Sequence, residues 1–254
     1  MIAPAQVWAE AKRRHRVNPS KCFQRYIREV YQEVDPREPI ASLDSARVER
    51  ISKAEAEALI LRYEWLRKCG RGASAFYGLK IGDELLGATV FGVGTSHQAR
   101  NICGEKYIHQ TVSLMRGCCA HFAPKNAPSF LVRHATEQAY ADHGWRVFIA
   151  YADSNAGEIG SIYQAVGWKY IGQGLGRPKG AVHLNWRKPD GTEVSSQTVH
   201  HQNLTKRQLF ALGYEAVPVK SKKSYVWFEG TPTQKAELKA RCRYPFQPYP
   251  KRAA

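Results

Sequence analysis

Four side chains in the middle of this 254-residue chain carry groups suited to transfer chemistry: Arg116, Ser129, Asp153 and Tyr163. Asp153 ends the apolar run Val147-Phe148-Ile149-Ala150-Tyr151-Ala152, a buried-type strand, and a polar turn containing glycine follows it. In open α/β folds, ligands collect beyond the carboxyl ends of parallel strands. Partial desolvation there would raise the carboxyl pKa toward the range in which it can take a proton from an amine or orient it. An Asp at this place is equally suited to capping the turn. Ten residues on, Tyr163 falls in a short helical stretch over about residues 158–166, where an aromatic is a normal core residue. Arg116 leaves the end of a strand with a planar, always charged fork that fits a carboxylate or a phosphate; the alternative is a surface ion pair. Ser129 stands where a helix N-cap is expected, and its hydroxyl could also hold a cofactor.

The elements that must position these groups follow from periodicity and punctuation. Ser52 and Glu55 form a capping box before Ala56, Leu59, Ile60, Tyr63 and Leu66, which recur at helical spacing up to Cys69-Gly70. Residues 74–80 and 84–93 are strand-like and join at Ile81-Gly82-Asp83, a hairpin. Residues 111–115 form a strand, 116–128 are irregular, and Ser129 caps a helix with the stripe Leu131, Val132, Ala135 and Ala139, stopped at His143-Gly144. Residues 111–153 therefore predict a strand-helix-strand unit. Gly167-Trp168 opens a further strand; Pro189-Asp190-Gly191 marks another hairpin; Thr205 caps a short helix through Leu212; residues 224–228 form a late strand. The tail YPFQPYPKR, residues 244–252, has three prolines and predicts extended chain.

At 43% hydrophobic, the chain can bury one substantial core and have length left at its ends. The expected plan is a basic extension over residues 1–40, a catalytic domain over 41–230 and a basic Pro/aromatic tail over 231–254. The formal net charge is +16, and cations gather near the ends. Lys12, Arg13, Arg14, Arg16, Lys21, Arg25 and Arg28 stand against Glu10 alone, and Lys239, Arg241, Arg243, Lys251 and Arg252 follow Glu237 with no acid. Such clustering fits a polyanionic partner, with solvated tails as the alternative. Cys22, Cys69, Cys103, Cys118, Cys119 and Cys242 make no Cys-x-x-Cys pair, and the first residues lack a signal-peptide apolar core, which points to free thiols in a cytoplasmic protein. No apolar run is long enough to cross a bilayer, so no membrane partner is expected. Cys118, Cys119 and His121 lie close together, but adjacent cysteines rarely share one tetrahedral ion, and no metal is assigned.

The order helix, hairpin, strand, capped helix, strand, helix, Gly-Trp, strand, with SIYQAVGWKYIG at residues 161–172, resembles the GNAT acyltransferase superfamily. The resemblance implies an α/β (α+β) fold: a central mixed sheet flanked by helices, whose central strands splay to receive an acyl-thioester with its phosphates on the capped helix's N-terminus. The usual Gln/Arg-x-x-Gly-x-Gly/Ala loop is absent. Residues 116–129 read RGCCAHFAPKNAPS, with His121, Phe122 and two prolines where small residues let a backbone wrap a phosphate, so standard acetyl-CoA is not the expected donor.

LMRG followed by APKNAPS, then AYAD, GEIGSIYQAVGW and the YPFQPYPKR tail together resemble the Mom proteins of phages, a divergent GNAT-like family. The likeness covers roughly residues 56–172 and, more loosely, the last thirty. It implies an enzyme that transfers a methylcarbamoyl (acetamido-type) group to the exocyclic amine of adenine in phage DNA, which blocks restriction enzymes. It places functional positions on Arg116, Ser129, Asp153 and Tyr163, with Asp153 as base or amine-orienting group and Tyr163 as acid. Arg116, Lys125, Asn126, Ser129 and Asn155 would surround a small-molecule donor of unknown identity, an acyl-CoA-like thioester being one candidate. A base must leave the duplex stack to be modified, so Tyr77, Trp65 and Tyr151 are candidate stacking surfaces. Arg241, Arg243, Lys251 and Arg252 would hold the phosphates of double-stranded DNA. Where the family has a His-Tyr pair at the end of the first long helix, this chain has Glu64-Trp65. Two other readings stay open: a conventional acetyl-CoA-dependent N-acetyltransferase, and a non-catalytic DNA-binding protein on a GNAT scaffold.

Overall fold

The computed structural model describes residues 3–93, 96–175, 182–200 and 202–252. Its elements, in chain order, begin with α1 (Pro4–Val17), α2 (Phe23–Val34), β1 (Ala46–Arg50), α3 (Lys53–Tyr63), β2 (Ala73–Ile81), β3 (Glu84–Gly92) and α4 (His97–Arg100). There follow β4 (Thr111–Cys119), α5 (Ala127–His143), β5 (Val147–Ala152), α6 (Ser161–Ala165) and β6 (Lys169–Gln173). Then come β7 (His183–Arg187), β8 (Glu193–Ser195), α7 (Ser196–His200), α8 (Lys206–Ala211), β9 (Glu215–Val219), β10 (Lys223–Phe228) and α9 (Pro232–Arg241).

Met1–Gly176 and Lys223–Ala254 make one unit, Arg177–Lys222 another. The smaller unit is a three-stranded antiparallel sheet, β8-β7-β9, with Trp186, Val199 and Leu209 buried together. The larger is a seven-stranded sheet in the order β1-β2-β3-β4-β5-β10-β6, in which β4 and β5 pair in parallel and the other neighbours are antiparallel. The mixed α/β class expected from the sequence is the one found.

Both faces of β5 are covered, which is why it reads as an unbroken apolar run. Phe148, Ala150 and Ala152 enter the main core with Leu131, Ala135 and Ala139 of α5, while Val147 and Ile149 enter a second cluster with Ile102, Tyr107 and Leu238, against which Tyr151 packs. The capping box on α3 is present: Glu55 N donates to Ser52 Oγ at 3.2 Å and Ser52 N to Glu55 Oε2 at 2.8 Å. α5 stops at Gly144, whose φ of 68° is the left-handed conformation that ends helices.

Three expectations change. α5 starts at Ala127 with Asn126 as its N-cap residue, so Ser129 sits inside the first turn and donates from Oγ to Asn126 O at 2.9 Å. Pro128 explains the earlier start, because a proline in the first turn gives up an N–H that has no helical partner anyway. The helix read over residues 158–166 is limited to Ser161–Ala165, because Gly157 and Gly160 adopt φ of 69° and 75°. Residues 1–40, read as a basic extension, instead contain two helices whose Val7, Ala11, Phe23, Ile27 and Tyr31 belong to the main core. Several of their cations are already engaged: Arg13 and Arg14 with Glu10, Arg14 also with Glu33, and Lys21 with Glu29. The tail runs without regular structure past the β6 edge, and Gln247 N donates to Tyr170 O at 2.9 Å.

His121, in the loop before α5, is enclosed. Its Nε2 lies 2.8 Å from Asp35 O, its ring stacks on Tyr31 with centroids 5.4 Å apart, and its Nδ1 is buried with no hydrogen-bond partner. Burial lowers its pKa, the Asp35 carbonyl and carboxylate opposing. The unfolded chain then binds this proton more readily, so stability present above about pH 6.5 is lost as pH falls. His15, also lowered by burial, titrates in the same direction. Against wild type, His121→Gln should show a shallower loss of stability below pH 6.5 in urea titrations; an unchanged slope would remove His121 from this role. Gly160→Ala should cost about 2 kcal/mol or more in the same assay, because the φ is left-handed and a Cβ would lie 2.3 Å from the Tyr225 ring.

Candidate active site

The central opening arises from a register change. β4 and β5 pair from Thr111↔Val147 to Leu114↔Ala150 and no further. Opposite β3, Phe91 faces Leu114 while Val90 faces Arg116, so Met115 is an extra residue in β4. Its side chain fits because two neighbours are glycines: a Cβ on Gly70 would lie 2.2 Å from Met115 Cε, and one on Gly92 2.5 Å from its Sδ. Beyond this bulge β4 continues with β3, and β5 continues with β10. The carboxyl ends of the two parallel strands therefore part, with Arg116 to Cys119 on one side and the end of β5 with Asp153 on the other.

Arg116 is partly exposed and lies along its own strand, donating from Nε to Lys68 O at 2.8 Å and from a terminal nitrogen to Met115 O. Carbonyls, rather than a carboxylate, hold it in place. Its charge reaches Tyr163. The Tyr163 ring packs at 5.4 Å from Trp168 and 5.3 Å from Tyr225. Burial raises the Tyr163 pKa above that of an ordinary phenol, Glu158, Tyr225 and Glu64 add to the rise, and Arg116 opposes it. At neutral pH this side chain is a protonated phenol beside charges of both signs.

Asp153 caps the turn that follows β5. Its Oδ1 accepts from Asn155 N at 2.9 Å and Asn155 Nδ2 at 3.0 Å, so Asn155 folds back onto Asp153. The Asp153 N–H donates to Glu158 Oε2 at 2.7 Å, and its carbonyl accepts from Ala156 N and Glu158 N, each at 3.0 Å. Lys223, on β10, donates to Ser154 Oγ at 2.8 Å and Glu158 O at 3.4 Å. Tyr225, on the same strand, donates to Ile159 O and accepts from Gln164 Nε2 at 3.0 Å. Five groups thus fix one short turn at the mouth of the opening.

Lys125 and Asn126 are exposed at the start of α5, beside Ser129. Two features there argue against a cradle of successive amides for a pyrophosphate: Ala127 N is bonded to Pro124 O at 2.9 Å, and Pro128 has no N–H. Other expected positions lie elsewhere. Tyr77 is fully enclosed, with its hydroxyl donating to Asp142 Oδ2 at 2.9 Å, and offers no face to a base. Trp65 packs edge-on against Phe23 at 5.9 Å, and its carbonyl accepts from Trp8. Tyr151 points to the sheet face opposite Tyr163, into the cluster with Leu238 and Tyr244. Arg241 pairs with Glu237 at 2.9 Å, and Arg243, Lys251 and Arg252 are exposed along the tail. Among the described residues, no three His, Cys, Asp or Glu side chains are grouped to hold a metal, and no helix is long and apolar enough to cross a membrane.

Sequence reading missed Glu64, Glu158 and the β10 pair Lys223 and Tyr225. Glu64 is 5% exposed, accepts from Leu66 N at 2.7 Å and Arg67 N at 3.0 Å, and its charge is felt at Tyr163 and Cys118. The available signal was an acid in the helix-ending string RYEWLR, where a buried carboxylate can bind the N–H groups of the turn. Lys223 and Tyr225 are some seventy residues from Asp153, and only the strand order brings them to it.

Among solved structures, the chain is similar to an IAA acetyltransferase from Bacillus cereus at 15% identity, covering 73% of this chain and 100% of that one, with a TM-score of 0.40. It is similar to the ribosomal-protein-S5-alanine acetyltransferase of Vibrio fischeri at 6% identity, covering 75% and 96%, with a TM-score of 0.42. For the spermidine N-acetyltransferase of Vibrio cholerae the values are 8% identity, 72% and 94% coverage, and a TM-score of 0.41. No curated protein matches. The model of the Mom protein family matches residues 45–251, a span that includes the parted strands, the capped turn, the inserted unit and most of the tail, and the chain belongs to that family.

Proposed function

We propose that this protein transfers a methylcarbamoyl (acetamido-type) group from a small-molecule donor to the exocyclic amine of adenine in double-stranded DNA. What supports the reading is membership of the Mom family together with the Asp153 turn beyond the point where β4 and β5 part, and a protonated Tyr163 within electrostatic reach of Arg116.

Adenine's exocyclic amine is a weak nucleophile because its lone pair is delocalised into the ring, so the site must supply an activated donor, a group to orient the amine and a route for protons. In the proposed step the amine nitrogen attacks the donor's electrophilic carbon and the bond to the leaving group breaks. Asp153 accepts or directs the amine proton, and Tyr163 gives its phenol proton to the leaving group. Arg116, held on carbonyls, contributes fixed positive charge beside the anion that develops. Lys125, Asn126 and Ser129 face the donor's polar end at the start of α5. The donor's anionic part would be met by side chains, because the backbone there does not form the amide cradle of a pyrophosphate.

DNA from cells expressing the protein, digested to nucleosides and measured by mass spectrometry, should contain a heavier adenine nucleoside. Asp153→Asn and Tyr163→Phe should each lower its yield about 100-fold or more at equal levels of soluble protein. Unmodified DNA in the presence of soluble wild type would overturn the reading, and acetylation of a small amine in its place would favour a conventional N-acetyltransferase.

A further inference from the structure

Five of the six cysteines are thiols held protonated. Burial is the largest cause raising the pKa of Cys22, Cys69, Cys118 and Cys119. Cys103, in a 3-10 turn before β4, is 2% exposed, and its pKa too is raised. Cys242 differs. It is partly exposed, ends α9, and its chain runs beside the chain of Cys103 although the two are distant in sequence.

The backbones on either side fix that pairing. Arg243 N donates to Ile102 O at 3.0 Å, joining the neighbour of one cysteine to the neighbour of the other. The Cys103 sulfur lies 3.6 Å from Leu238 O, one helical turn before Cys242, and both cysteines pack in the cluster of Ile102, Tyr107 and Leu238. The Cys242 sulfur lies 3.5 Å from Tyr244 O. The nearness of the Cys103 thiol lowers the pKa of Cys242, and the same nearness together with burial raises that of Cys103. A partly exposed thiolate beside a buried thiol is the arrangement of an attacking and a resolving cysteine.

We propose that Cys242 and Cys103 are a reactive dithiol that small-molecule disulfides oxidise to an intramolecular disulfide, fastening α9 and the C-terminal tail to the turn before β4. The Cys242 thiolate attacks one sulfur of the small disulfide, forming a mixed disulfide and expelling one thiolate. Cys103 then attacks the Cys242 sulfur, closes the protein disulfide and expels the second thiolate. The two protein thiols are oxidised, the small disulfide is reduced to two thiols, and the two protein protons pass to those products. The consequence is mechanical, because the tail that leaves Cys242 also pairs with β6 through Gln247 and Tyr170.

The test uses the full-length reduced protein. Under limiting iodoacetamide at pH 7, peptide mass spectrometry should find Cys242 alkylated about 10-fold faster than Cys22 or Cys69. Oxidised glutathione should yield a Cys103–Cys242 linked peptide and an upward shift in Tm. Cys103→Ala should move the alkylation midpoint of Cys242 up toward that of an ordinary thiol, with the circular dichroism spectrum unchanged. Cys242 reacting no faster than the other thiols, or stopping at the mixed disulfide in the wild-type protein, would overturn the proposal. The wild-type cross-link needs no variant, so a Cys103→Ala protein that failed to fold would leave the test decisive.

Discussion

Everything at the candidate site depends on where two parallel strands stop sharing hydrogen bonds. A paired sheet has no room for a substrate between adjacent strands, since neighbours lie about 4.8 Å apart. The extra residue at Met115 ends the β4–β5 ladder after four pairs, and each strand then keeps a single partner, β3 on one side and β10 on the other. The backbone groups that face the gap are the obligation this creates, because peptide N–H and C=O groups require partners. Arg116 itself is held near this point by donating to the carbonyl of Met115 on β4 and to that of Lys68 outside the sheet.

β10 has two functions. It completes the sheet between β5 and β6, and its Lys223 and Tyr225 reach the turn that carries Asp153. The turn is therefore tied by hydrogen bonds to the strand beside it. Gly160 belongs to the same device, since its missing side chain leaves the space occupied by the Tyr225 ring. A carboxylate meant to orient a weak nucleophile gains from such support, because small displacements of a reacting group are costly.

Much of this was legible in the sequence wherever local signals and burial agreed. The Ser52–Glu55 box, the Gly144 stop, the apolar run of β5 and the Pro189-Asp190-Gly191 turn each report a local conformation that the structure keeps. The cap of α5 was misplaced by three residues because the capping side chain of Ser129 was weighed above Pro128, whose ring favours the first turn. The basic N-terminal helices were misread because charge counts do not reveal that Glu10, Glu29 and Glu33 lie within reach of the cations. Tyr77 and Tyr151 illustrate a different limit: a tyrosine in a strand gives no sign of which face it points to until the sheet is covered on both sides. Lys223 was invisible for a simpler reason, since its relevance lies in contacts that only the tertiary fold creates, whereas Glu64 stood in view in RYEWLR without its burial being legible.

The strand order also dictates when this sheet can close during synthesis. β5 is complete at Ala152, yet its neighbour β10 begins only at Lys223, after the 177–222 unit has been made. Until then the long edge of β5 has no antiparallel partner, and β6 has nothing to join. Exposed edges of this kind invite pairing with other chains. The intervening unit has a small core of its own around Trp186, so much of the chain made between β6 and β10 is a folded body instead of a long free loop.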